Sequence, residues 1–153
     1  MKNYLSTLLL CGLVSQVVFA SEEGSLSLTE AWVRALPPGQ PNTAAYVTAT
    51  NKGSDALSVV GGRTDIADTL EIHTTREVDG LQRMEQLDTV TVAPGESAVF
   101  APGGMHLMLL GLKRMPAASE EVILCLTLAS GAEACTTAPV RKSAGGAQSH
   151  KHH

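Results

Sequence analysis

Two histidines and two methionines, His73, Met84, His106 and Met108, stand in the pattern H-x10-M-x21-H-x-M. Imidazole nitrogen and thioether sulfur are neutral donors, the sulfur soft, and two of each form a set that prefers Cu(I) while tolerating some Cu(II). These residue types usually do plainer work: a strand methionine fills a core, and a single histidine is a hydrogen-bonded structural side chain. The spacing argues against that use. Beyond the first residue the methionines are Met84, Met105, Met108 and Met115, and the only histidines ahead of the C-terminal His150, His152 and His153 are His73 and His106. The pattern thus takes both histidines of the body of the chain. Thioethers carry no acidic proton and do not lose binding competence by thiol oxidation, although they can form sulfoxides. No cysteine adjoins the pattern, so a blue-copper centre is not indicated, and carriage of the metal fits better than electron transfer.

Short strands must position these four side chains. Asp79-Gly80 is a strong signal for a two-residue type I′ hairpin turn. Counting outward from it pairs Val78 with Leu81, Arg76 with Arg83 and Thr75 with Met84, which puts His73 diagonal to Met84 on one face. Diagonal neighbours lie roughly 7 Å apart, a gap an imidazole and a thioether can close through a metal ion. His106 and Met108 are two residues apart in a later strand and share a face at a rise of about 6.6 Å. By the same parity Met105, Leu107 and Leu109 point the other way, toward a core. Met115, in Lys113-Arg114-Met115-Pro116, is expected in a loop.

The remaining body reads as strand after strand: Ser25 to Leu36, Ala44 to Asn51, Leu57 to Gly61, Thr69 to Thr75, Leu81 to Glu85, Thr89 to Val92, Ser97 to Phe100, His106 to Leu112, Glu121 to Leu128 and Ala132 to Thr137. Pro, Gly, Asn and Asp punctuate them, as in Leu36-Pro37-Pro38-Gly39, Asn51-Lys52-Gly53 and Pro94-Gly95. Such spacing predicts an all-β antiparallel sandwich or barrel, with at most a helical turn at Pro116 to Glu121. The loop Ala129-Ser130-Gly131 aligns Leu128 with Ala132 and so sets Cys125 opposite Cys135, within reach of a disulfide. A thiolate metal site is the alternative use of that pair.

Residues Met1 to Ala20 read as a secretory signal peptide, with Lys2 ahead of an apolar stretch and Val18-Phe19-Ala20 as the cleavage site. Leu8-Leu9-Leu10 before Cys11 does not suit lipidation, and export makes the disulfide reading of the cysteines natural. The expected organisation is a leader over 1–20, one domain over 21–140 and a flexible tail over 141–153, whose His150, His152 and His153 are an auxiliary metal arm or merely a solvated terminus. A net charge of −4 and 3% aromatic residues argue against a nucleic-acid partner, which requires clustered cations and stacking surfaces. Retention of the leader as an anchor is the alternative to cleavage, and no other segment is expected to insert stably into a membrane.

The four spaced residues, together with Ala31-Trp32-Val33-Arg34-Ala35, Ala44-Ala45-Tyr46, Asn51-Lys52-Gly53 and the run from Gly103-Gly104-Met105-His106 to Leu112, make the chain resemble the periplasmic copper chaperones of the PCuAC type. That resemblance implies a cupredoxin-like Greek-key β-sandwich, a non-enzymatic protein, and Cu(I) held at an exposed end by His73, Met84, His106 and Met108. It also implies delivery of copper to the CuA centre in subunit II of cytochrome c oxidase, with thiol-redox assembly proteins as helpers. The cysteine pair and the histidine-bearing tail lie outside the metal pattern. Two other copper functions compete with carriage to a recipient, electron transfer and storage or resistance. A metal-free adhesive sandwich is the third reading.

Overall fold

A computed structural model describes residues 25–142. The expected signal peptide at 1–20, with Cys11 in it, and the tail histidines His150, His152 and His153 lie outside the described residues. Ten strands follow one another: β1 (Leu26–Arg34), β2 (Asn42–Asn51), β3 (Leu57–Thr64), β4 (Ala67–Val78), β5 (Leu81–Leu87), β6 (Val90–Val92), β7 (Ser97–Phe100), β8 (His106–Leu112), β9 (Glu121–Leu128) and β10 (Glu133–Arg141). No helix interrupts them among the described residues.

Hydrogen bonding follows the order β5-β4-β8-β2-β1-β10-β9-β3-β6, and an added β4–β3 pairing closes the stretch from β4 to β3 into a barrel. β7 pairs with β2, beyond the part of β2 that β8 occupies. This is the expected all-β, cupredoxin-like sandwich or barrel, and nearly every pairing is antiparallel. β1 and β10 are the exception, running parallel through Val33↔Val140 and Arg34↔Arg141.

Each sequence-read strand is present; β7, β8 and β9 keep the expected bounds and the others shift at one or both ends. β2 begins at Asn42, not Ala44, β3 runs on to Thr64, and β4 extends from Ala67 to Val78. β10 continues through Pro139 because that residue occupies the last rung against β9, opposite Glu121, where a missing N–H costs little. The stretch expected to hold a helical turn has none: Ala118 and Ser119 form a turn, and Glu121 already begins β9.

Alternation explains which side chains enter the barrel. In β4, Leu70 and Ile72 are buried in the core; in β8, Leu107 and Leu109 are completely buried. Removing each such leucine from water is worth about 1.5–3 kcal/mol. The inward commitment of these residues turns Glu71, His73 and Thr75 of β4, and His106 and Met108 of β8, to the opposite face. Met105 packs partly buried against the core, as its parity predicts.

The hairpin linking β9 and β10 pairs Cys125 with Cys135 directly, and the two form a disulfide with Cα atoms 4.0 Å apart. The Leu128 N–H donates to the Ala132 carbonyl at 2.8 Å, which closes the loop in the expected register.

Candidate metal centre

The site is assembled on the outward face of β5, β4, β8 and β2. Asp79 and Gly80 both adopt positive φ, 54° and 75°, as a type I′ turn requires. The resulting register is Val78↔Leu81, Arg76↔Arg83 and Thr75↔Met84, so Met84 and His73 are diagonal neighbours. β4 and β8 then pair His73 with His106 and Glu71 with Met108. The two imidazoles are therefore direct cross-strand partners, with ring centroids 6.0 Å apart.

A cleft of about 290 Å3 opens over this face, with Met84, His106 and Met108 among its walls beside Thr75, Ala44 and Tyr46. His73 is not in the wall but reaches the site through its pairing with His106. Burial is graded across the set: His106 is 6% exposed and Met84 58%. Met84 owes its exposure to β5, an edge strand with no neighbour on its outer side. Ala44 lies directly across from Met108 and leaves room for the thioether. Met115 is half-buried and lies outside the cleft wall.

Both histidines are oriented by a second partner. Glu71 Oε2 lies 2.8 Å from His73 Nε2. An Nε2–H donating to this carboxylate leaves the lone pair on Nδ1, which is buried and has no partner. His106 Nδ1 lies 3.0 Å from the Gly104 carbonyl, and donating there leaves the lone pair on Nε2. The same carbonyl accepts the Thr75 N–H at 3.3 Å, which ties the loop before β8 to β4. One nitrogen of each ring is thus engaged and the other left as a Lewis base, the arrangement that orients histidine ligands in metal proteins.

Sequence reasoning missed Glu71. A charged residue in a strand reads as a solvated face; the signal available was its i, i+2 spacing from His73, which places both on one side of β4. Arg34, Asn42 and Tyr46 of the cleft were also missed. Burial pushes the Tyr46 phenol above its ordinary value, and the Arg34 charge opposes that shift. Cys125, Cys135 and Glu133 form a separate group of potential metal donors, but the sulfurs are spent on each other and neither lines the cleft.

Comparisons with known proteins agree with the architecture. The family model described as “Putative lipoprotein LpqE-like” matches residues 26–140. “Putative lipoprotein Lxx21020” of Leifsonia xyli subsp. xyli is 30% identical over 127 residues, covering 82% of this chain and 75% of the relative. Among solved structures, the Cu(I) form of DR1885 from Deinococcus radiodurans is 33% identical, with a TM-score of 0.59, over 73% of this chain and 75% of its own. The apo PCuAC domain of PmoF1 shares the fold at 22% identity and a TM-score of 0.64, covering 78% of this chain and 96% of that domain. The copper-bound PCuAC domain of PmoF2 is similar at 18% identity and a TM-score of 0.64, over 78% and 95% of the two chains. With the family model spanning β1 to β10 and PCuAC domains as its structural neighbours, the chain belongs to the LpqE-like family and has the PCuAC fold.

Proposed function

We propose that this chain binds Cu(I) through His73, Met84, His106 and Met108 and carries it, outside the cytoplasm, to a copper-requiring protein. The observation that carries the reading is the paired histidines, each with one ring nitrogen held and the other left as a lone pair, next to two thioethers. A buried lone pair without a donor, as on His73 Nδ1, is costly unless something electron-poor meets it. Soft sulfur selects Cu(I) for that role. The copper-bound forms of DR1885 and of the PmoF2 domain support the same cargo.

Graded burial suits transfer. His73 and His106 give a fixed base, whereas Met84, on an edge strand and largely exposed, is the ligand an incoming protein displaces first. The recipient we favour is subunit II of cytochrome c oxidase at its CuA centre, with thiol-redox assembly proteins keeping the acceptor's cysteines reduced. The domain acting in this way spans 21–140, exported by the leader at 1–20. The lipoprotein descriptions of its relatives make the mature N-terminus worth measuring: cleavage after Ala20 gives an unmodified amine, and lipidation would place a diacylglyceryl group on Cys11.

Competition against a Cu(I) chelator tests the ligand set. One ion per domain is expected, with at least a tenfold loss of affinity in Met84→Leu and in His106→Ala, and X-ray absorption should find sulfur and nitrogen around copper. Unchanged affinity in both variants overturns the assignment. Mixing the loaded protein with apo subunit II should produce the CuA optical spectrum; its failure to appear removes that recipient while leaving the copper site standing.

A further inference from the structure

Among the described residues, two buried side-chain nitrogens have no hydrogen-bond partner: His73 Nδ1 and Arg34 Nε. The first is a lone pair suited to a cation. The second makes the opposite demand, because a guanidinium has donors only and needs an acceptor. Arg34 ends β1, two residues after Trp32 and on its face, while Val33 between them enters the core. Its guanidinium carbon lies 5.4 Å from the Tyr46 ring centroid, and Tyr46 in turn packs on Trp32 at 4.4 Å. This aromatic floor lies under the guanidinium but offers no acceptor to its buried Nε–H.

The charge balance of the cleft points the same way. Arg34 is the only formally charged residue in its wall, although the whole chain carries a net charge of −4. Arg63, Arg76 and Arg114 each hold a carboxylate, on Glu133, Glu85 and Glu120. Arg34 holds none. Nearby donors are also available: the Asn42 oxygen accepts the Gly111 N–H at 3.2 Å, which leaves its amide nitrogen to donate. Because the buried Nε–H meets no acceptor, the positive charge is less compensated, and an anion at the open edge of the guanidinium is attracted more strongly.

We propose that the cleft contains an anion subsite in which Arg34, stacked on Tyr46 and assisted by Asn42, binds a carboxylate beside His106 and Met108. A planar fork of N–H donors matches a carboxylate, and the cleft is large enough for one on a short stem. This subsite does not depend on the copper reading and is present in the metal-free protein. Its carboxylate comes either from a small free acid or from an aspartate or glutamate side chain of a docking protein.

The test is an NMR titration of 15N-labelled, metal-free, full-length protein at constant ionic strength, following the Arg34 Nε–H and Tyr46 amide signals. Sodium acetate is compared with acetamide, and a capped Gly-Asp-Gly peptide with capped Gly-Asn-Gly. Saturable shifts are expected from the carboxylates, with at least tenfold weaker responses to the amides and to acetate in Arg34→Gln. Tighter binding of acetate identifies a free acid as the occupant, and tighter binding of the aspartyl peptide identifies a protein side chain. Non-saturating shifts with both carboxylates, or equal responses to their amides, overturn the proposal even if Arg34→Gln does not fold, because the comparison within the wild-type protein decides it.

Discussion

At the scale of the residue, Glu71 shows how one side chain orients another, here the proposed copper ligand His73. Its carboxylate holds His73 Nε2 at 2.8 Å and thereby sets both tautomer and ring direction. Removing such a partner in Glu71→Ala should weaken Cu(I) binding roughly 10–100-fold while the fold persists, a loss readable by chelator competition. Undiminished affinity denies Glu71 that role. Tyr46 offers a second handle, since burial raises its phenol above the ordinary 10.0 and Arg34 pulls the other way. A raised pKa means that the neutral phenol is favoured in the folded state; the associated stability is fully present below the unfolded value and is lost as pH rises through the folded one. In Tyr4→Phe, where Tyr46 is the one tyrosine left, the tyrosinate absorbance should titrate with a midpoint above 10.0, and adding Arg34→Gln should push that midpoint higher still. A midpoint at or below the ordinary value would contradict the burial.

At the scale of the element, two glycines do different jobs. Gly80 supplies the positive φ of 75° that lets β4 and β5 meet in the register placing Met84. Gly80→Val should cost about 1–2 kcal/mol through left-handed strain, and it should weaken copper binding by loosening the hairpin that carries Met84. Gly62 is needed for closeness: a Cβ there would collide with the Cys125 carbonyl across the β3–β9 pairing. Gly62→Ala is accordingly expected to destabilise by about 1–3 kcal/mol as an overpacked contact, with a lowered denaturant midpoint as the readout. The Gly80 role was legible, because an Asp-Gly pair between alternating strands has few other uses. Gly62 was not, because its constraint comes from a strand more than sixty residues away.

At the scale of the whole molecule, the disulfide and the exposed ion pairs bear on stability and not on the site. Cys125 and Cys135 are ten residues apart, and closing so short a loop is worth roughly 2–3 kcal/mol. Replacing both by serine should lower thermal stability and leave Cu(I) affinity unchanged; a parallel loss of copper would tie the pair to the site. Glu133 has its carboxyl held below the ordinary 4.5 by its hydrogen bonds from Arg63, and Glu120 likewise by Arg114. A depressed folded-state value contributes stability above the unfolded one that disappears as pH falls through it. Unfolding at pH values below 4.5 should therefore become easier, and the acid-side slope should flatten in Arg63→Gln combined with Arg114→Gln.

Taken alone, the sequence was enough for the ten strands, the Asp79-Gly80 register, the opposed cysteines and the four spaced donors, because each depends on local turn chemistry or on the two-residue period of a strand. Periodicity put His106 and Met108 on one face and sent Leu107 and Leu109 to the core. It could not say which strand lies beside β8. The tertiary structure decided that β4 does, making His73 and His106 direct partners, and it placed Glu71 behind one ring and the Gly104 carbonyl behind the other. It also brought Arg34 over Tyr46 and ran β10 parallel to β1. Such pairings are set by how apolar faces close into one barrel, a property of the whole chain that no short stretch of sequence encodes.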